Sequence, residues 1–119
     1  MRTPVASKIA LPMDAATGIV AGSPAPSGAL SGAAYSHAQS LAGRQRLDHT
    51  GFRQRVSVER GTAAENVGFG CETEDCVIRM WSRSGRHRAN MLRRDVTSYG
   101  IASAVGGNGR RYWVLELGN

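Results

Sequence analysis

The chain has 119 residues, a length that fills one domain and leaves no room for a second core. Its hydrophobic fraction is 41% and its formal net charge is +6, with every basic residue except Lys8 an arginine; such a surface favours anionic partners such as lipid head groups or acidic wall polymers. No apolar run approaches the roughly 18 residues of a membrane helix, and the arginines are spread without the aromatic interleaving of a nucleic-acid platform, which argues against nucleic acid.

Residues 1–26 hold Pro4, Pro12, Pro24 and Pro26 among many Ala, Gly and Ser and show no sustained apolar period, so they are expected to form a loosely ordered arm ahead of a folded domain over 27–119. Arg2 and Lys8 precede a mildly apolar stretch there, but Pro12 and Asp14 interrupt it, so no clear signal peptide is visible. From Ser27 the pattern changes. Leu30, Ala33, Ala34, His37, Ala38 and Leu41 recur at spacings of three and four, which predicts a helix with these residues along one stripe, ended by Gly43.

Phe52 to Val58 reads as a short helical turn, and Thr62 to Gly70 as an extended run. Thr73 is a suitable N-cap for a second helix, with Glu74 and Asp75 in its first turn and Val77, Met80 and Trp81 on its buried face. Gly85 interrupts it, and a shorter helix over Arg86 to Leu92 carries His87, Asn90 and Met91 on neighbouring faces. The period then becomes two. Tyr99, Ile101, Ser103 and Val105 alternate with polar or small residues, Gly106-Gly107-Asn108-Gly109 supplies a turn, and Arg111 to Leu117 completes an antiparallel hairpin. Helices first and hairpin last indicate an α+β chain and not a doubly wound parallel sheet.

Cys71 and Cys76 have four residues between them, which is neither a C-x-x-C redox motif nor a zinc ribbon; a local disulfide and two free thiols both fit. His49, Glu65 and His87 stand at the edges of predicted elements. If they converge, two imidazoles and a carboxylate can hold a divalent cation such as zinc, or move protons near neutral pH. A buried hydrogen-bonded network is the structural alternative. His37 reads as a packed, hydrogen-bonded core residue, Asn66 as a backbone brace, and Trp81 and Trp113 as core. Glu72, Glu74 and Asp75 lack the spacing of a calcium loop, and Arg83, Arg86, Arg88, Arg93 and Arg94 form a solvated basic face beside His87.

Several ordered blocks carry a resemblance. Ser36-His37-Ala38, His49, Glu65-Asn66-Val67-Gly68-Phe69-Gly70, the run from Trp81 to Leu92 with Ser84, His87 and Asn90, Tyr99-Gly100-Ile101 and Tyr112-Trp113 together resemble the bacterial pattern of the CAP superfamily: cysteine-rich secretory proteins, antigen 5 and pathogenesis-related 1. The resemblance covers about residues 29–118. It implies a three-layer α-β-α sandwich with a central antiparallel sheet, and a cleft holding two histidines and two acids. The histidines fall on His49 and His87 and one acid on Glu65, while Ser84 stands where the second acid would be. Ser84 orients water but supplies no charge. Two further departures concern the ends: the family's opening helix has no counterpart in residues 1–26, and Leu117 replaces the usual aromatic before the last glycine.

The resulting expectation is a secreted or periplasmic, non-enzymatic domain. Its His49, Glu65, Ser84 and His87 cleft takes a small ligand or peptide, anionic ligands included, with a divalent cation such as Zn2+ between His49 and His87 as an option. The alternatives are a hydrolase of peptides or cell-wall material, with His49, Glu65 and His87 as its catalytic candidates, and a basic adhesion module for anionic polymers. No Ser or Cys occupies a recognisable nucleophile motif, so only water activation supports the hydrolase.

Overall fold

The computed structural model describes residues 24–56 and 63–119. Along the chain run β1 (Ala25–Pro26), α1 (Gly28–Arg44), α2 (Phe52–Val56), β2 (Ala63–Phe69), α3 (Glu74–Ser82), α4 (Gly85–Met91), β3 (Ser98–Val105) and β4 (Arg111–Gly118). The strands form one sheet in the order β1-β3-β4-β2. The β2–β4 and β3–β4 pairs are antiparallel, as expected, whereas β1 pairs with β3 in parallel. Thus the last residues of the predicted arm join the sheet, with Ala25 opposite Ser98 and Pro26 opposite Tyr99. Residues 1–23, and Ser57 and Val58 of the predicted short turn, lie outside the described residues.

Ser27 caps α1, its Oγ accepting the Leu30 N–H at 3.2 Å. The helix runs past Gly43 to Arg44. It ends because Gln45 takes the left-handed conformation at φ 54° and returns its N–H to the Leu41 carbonyl. Thr73 caps α3 as predicted, its Oγ1 accepting from Cys76 N at 3.1 Å. Val77 and Trp81 face inward as expected, but Ile78 is buried where Met80 was expected and Met80 is only partly covered.

Both faces of the sheet are covered. On one, α1 presents Ala34, Ala38 and Leu41 to Val67, Tyr112 and Val114. On the other, Val77, Ile78 and Trp81 of α3 and Met91 of α4 pack on Tyr99, Trp113, Leu115 and Leu117. The result is an α-β-α sandwich, and β4 is accordingly buried from Tyr112 to Gly118 with no polar alternation. On β3 the alternation is large against small. Gly100 lies so close to α1 that a Cβ there would come within 2.1 Å of Ser31 N, so the side facing α1 carries Gly100, Ala102 and Ala104. The hairpin turn closes with Gly109 N–H on the Gly106 carbonyl at 2.9 Å.

Cys71 and Cys76 form a disulfide, with 5.6 Å between their Cα atoms, which decides between the two states the spacing left open. Among the described residues no helix is long and apolar enough to cross a membrane.

Candidate functional site

On β4, Tyr112, Val114 and Glu116 share the face that α1 covers. The first two pack on the helix. Glu116, next in that row, is fully buried and lies directly opposite Glu65 of β2. Two carboxylates side by side in a dry layer repel, and Arg55 of α2 is inserted between them. Its Nε donates to Glu65 Oε2 at 2.9 Å and to Glu116 Oε2 at 3.2 Å, while Nη2 donates to Glu65 Oε1 at 2.8 Å. Nη1 donates to the Thr50 carbonyl, tying the cluster to the loop after α1.

One positive charge cannot neutralise two buried negative ones. Burial, followed by the hydrogen bond and the charge of Glu65, pushes the Glu116 carboxyl up to about 10 against the opposing pull of Arg55. Burial pushes Glu65 the same way, but hydrogen bonds from Glu116, His49 and Arg55 outweigh it and hold Glu65 below the ordinary range. At neutral pH the pair is one carboxylate, Glu65, and one carboxylic acid, Glu116. Glu116 Oε1 has no conventional donor within reach, and a proton on this carboxyl provides the bond to Glu65.

His49 sits in the loop between α1 and α2, its ring just over half exposed. The loop is held from both sides. His37, buried on α1 as predicted, shares a 2.8 Å hydrogen bond with the Asp48 carbonyl, and Arg44 grips the Asp48 carboxylate with contacts of 2.5 and 3.3 Å. That grip, reinforced by the Thr50 N–H, holds Asp48 well below the usual carboxylate range. His49 Nδ1 meets Glu65 Oε1 at 2.7 Å. Because ionised Glu65 can only accept, Nδ1 carries the proton and Nε2 is left for a ligand.

His87 comes from the opposite layer. Asn66, fully buried on β2, donates its amide to the His87 carbonyl at 3.1 Å and accepts from Asn90 Nδ2 at 3.0 Å, so one side chain fastens α4 to the sheet. This is the bracing role expected of Asn66. The Trp81 indole donates to the Val67 carbonyl at 3.0 Å beneath the imidazole, with the two rings 6.4 Å apart. His87 Nδ1 is engaged by Ser84 Oγ at 2.9 Å. Burial first, and then the electrostatic effect of His49, lower the His87 pKa and favour its neutral ring.

The structure therefore joins His49 directly to Glu65, and His87 to Ser84, with the two histidines coupled through charge. A divalent cation fits this set poorly. Both Glu65 oxygens are already held by Arg55, Ser84 adds no charge, and among the described residues no three His, Cys, Asp or Glu side chains converge as a metal site. Only Nε2 of each histidine remains as a donor. Beside His87 a cavity of about 230 Å³ opens between the β2 edge and α3, walled by Leu47, Val67, Phe69, Met80 and Trp81.

Arg55 and Glu116 are neighbours of the candidate site that the sequence pattern did not single out. Glu116 had a signal, a lone carboxylate inside the apolar run Tyr112 to Leu117. Arg55 had none, being one arginine among many.

The family model of the cysteine-rich secretory protein family, CAP, matches residues 23–117. No curated protein matches the chain. Among solved structures, an outer surface protein from Borrelia burgdorferi is similar with a TM-score of 0.78 and 19% identity, over 97% of this chain and 89% of that one. An extracellular protein containing an SCP domain from Bacillus anthracis is similar with a TM-score of 0.71 and 15% identity, over 90% of this chain and 36% of that one. A cysteine-rich secretory protein from Staphylococcus aureus follows at 0.66 and 20%, over 95% and 37%. The chain thus spans little more than a third of the last two proteins, and likeness at this identity shows the fold.

Proposed function

The chain belongs to the cysteine-rich secretory protein (CAP) family, and from that premise we propose that it is an extracellular or periplasmic binding domain whose His49, Glu65, Ser84 and His87 cleft takes a small ligand or peptide. The observation that carries this reading is that two imidazoles near enough to couple through charge are each held at Nδ1. Glu65, locked by Arg55, fixes His49 through Nδ1, and Ser84 fixes His87 through Nδ1, so both Nε2 atoms are set for a ligand group. Pre-set polar groups beside an apolar cavity are the usual composition of a binding site. The Cys71–Cys76 disulfide suits an oxidising compartment, and the similar proteins from Borrelia burgdorferi and Bacillus anthracis are described as outer-surface and extracellular.

A divalent cation is not required by this reading. Any that binds does so through two nitrogens and water, and its hold is weak. One observation favours a second reading, the hydrolase. A carboxylate on Nδ1 of an imidazole about half exposed is the arrangement of a histidine that takes a proton from water. Among the described residues His87 Nδ1 is engaged by Ser84 and not by a second acid, and binding explains the set with fewer parts.

The test is an NMR titration of the His49 and His87 imidazoles with a mixed tetrapeptide library, wild type beside His87→Ala. Binders lost in the variant are expected, and a library with no His87-dependent binder overturns the reading. Mass spectrometry of the same mixture is expected to show intact peptides, and His49-dependent cleavage would transfer the site to the hydrolase. Zinc calorimetry on both proteins checks the cation, with only weak heat expected in wild type.

A further inference from the structure

The 230 Å³ cavity beside His87 is smaller than the roughly 300–1,000 Å³ of pockets that enclose a whole small ligand. It has room for one large side chain of something longer. Its position says what that longer thing is. Among the described residues β2 is an edge strand, hydrogen-bonded to β4 alone. Gly70 N–H bonds to the Arg111 carbonyl, which fixes the ladder's alternation: Gly70, Gly68 and Asn66 turn their peptide groups toward β4, and Phe69 and Val67 turn theirs outward. The Val67 carbonyl confirms it by accepting the Trp81 indole from outside the ladder. Phe69, 40% exposed, therefore offers an N–H and a C=O at the free edge, at the mouth of the same cavity.

Gly68 lets Met80 and Trp81 of α3 close directly onto β2, and so sets the wall of the cavity at this spot. A Cβ there would lie 2.6 Å from Met80 Cε and 3.1 Å from Trp81 Nε1. Beside the mouth, the Arg110 guanidinium lies over the Phe69 ring, 5.1 Å from its centre, and has no carboxylate within ion-pair distance among the described residues. Among the described residues an apolar hole, an open strand edge and a guanidinium without an acidic partner thus adjoin one another.

Resting on the cleft reading above, we infer that the ligand is an extended peptide that pairs with the β2 edge at Phe69. It seats one aliphatic or aromatic side chain between Leu47, Met80 and Trp81, and gives a neighbouring carboxylate to Arg110. The strand edge supplies sequence-independent hydrogen bonds, and the cavity and Arg110 select the residues. His87 and Ser84, on the cavity's far wall, meet the peptide beyond the anchored side chain.

The test is a ¹⁵N NMR titration of the full chain with acetyl-Gly-Leu-Asp-Gly-amide, reading the Trp81 indole and the Phe69 and Gly68 amides. Shifts at all three are expected, with affinity falling at least about tenfold when the peptide's Leu becomes Ala. Replacing its Asp by Asn weakens binding to wild type but leaves Arg110→Gln indifferent. A probe ending in a free Leu carboxylate tells a chain end from an acidic side chain, either of which supports the inference. Because Met80→Trp, which fills the cavity, can disturb folding, the surface variant Arg110→Gln and the changes made in the probe carry the test. Equal affinity for the Leu and Ala probes, or shifts confined to His49 and His87, overturns this inference and leaves the cleft reading standing. The cleft reading itself falls only with the His87-dependent binders of the peptide library.

Discussion

Glu65 and Glu116 face each other across β2 and β4 in a buried layer, and Arg55 donates to both. Their titrations act on stability with opposite signs. Glu116, raised to about 10, binds its proton more tightly folded than unfolded, so its contribution is complete below its unfolded value near 4.5 and is lost as pH rises toward 10. Glu65, held low, contributes above the unfolded value and loses that contribution as pH falls through its folded pKa. Stability is expected to decline from pH 5 to pH 9 in wild type. Glu116→Gln keeps the shape and the donor without the titration, and its decline is flatter. Urea midpoints at pH 5, 7 and 9 check this, and parallel slopes in the two proteins would refute the buried acid.

Arg55 is the only arginine or lysine that contacts this pair among the described residues. Arg55→Met leaves Glu65 buried without its counter-ion and is expected to cost about 3–5 kcal/mol, the usual effect of breaking a buried pair from one side. Adding Glu65→Gln removes the stranded charge and recovers part of the loss. Denaturant unfolding of the two single variants and the double variant measures the coupling; strictly additive losses would show that the two residues act independently.

What could be read in advance follows from where each signal resides. The α1 stripe, the Thr73 cap and the glycine-rich hairpin turn are local, and the fold keeps them all. The end of α1 shifted because Gln45, not a glycine, took the left-handed position, a choice that depends on the downstream loop held by Arg44 and Asp48. The strand at Ala25–Pro26 has no periodicity to betray it, since two residues pair only because β3 offers an edge. In the site, His49, Glu65 and His87 are chemically conspicuous residue types. Arg55 acquires meaning only when α2 places it between the two carboxylates, and the pairing of Glu65 with Glu116 depends on strand register, which brings together residues 51 positions apart in sequence.

Asn66 is the mechanical link between the sheet and His87. Asn66→Ala removes two part-buried hydrogen bonds, to the His87 carbonyl and from the Asn90 amide, for a loss of roughly 0.5–1.5 kcal/mol each. The expected consequence beyond stability is a displaced α4, seen as shifted His87 imidazole signals with His49 unchanged. Coincident shifts at both histidines would mean that the cleft relaxes as a unit and that Asn66 does not act on α4 alone.

Cys71 and Cys76 close a short loop, five positions apart, between the end of β2 and the first turn of α3. The loop-closure estimate for such a span is about 2 kcal/mol, near the low end for disulfides because so little chain is constrained. The site of the bond makes its loss visible elsewhere: the Cys71 carbonyl accepts the buried Trp113 indole at 2.7 Å, so the loop is part of the wall of the α3 layer. Reduction, or Cys71→Ser with Cys76→Ser, is expected to lower unfolding free energy by about that amount. It should also shift the Trp113 indole N–H resonance while leaving the His49 and Glu65 pair, on the opposite face, undisturbed. Equal stability in the two redox states, with an unmoved Trp113 signal, would show that capping by Thr73 and packing of Val77 hold the loop without the bond.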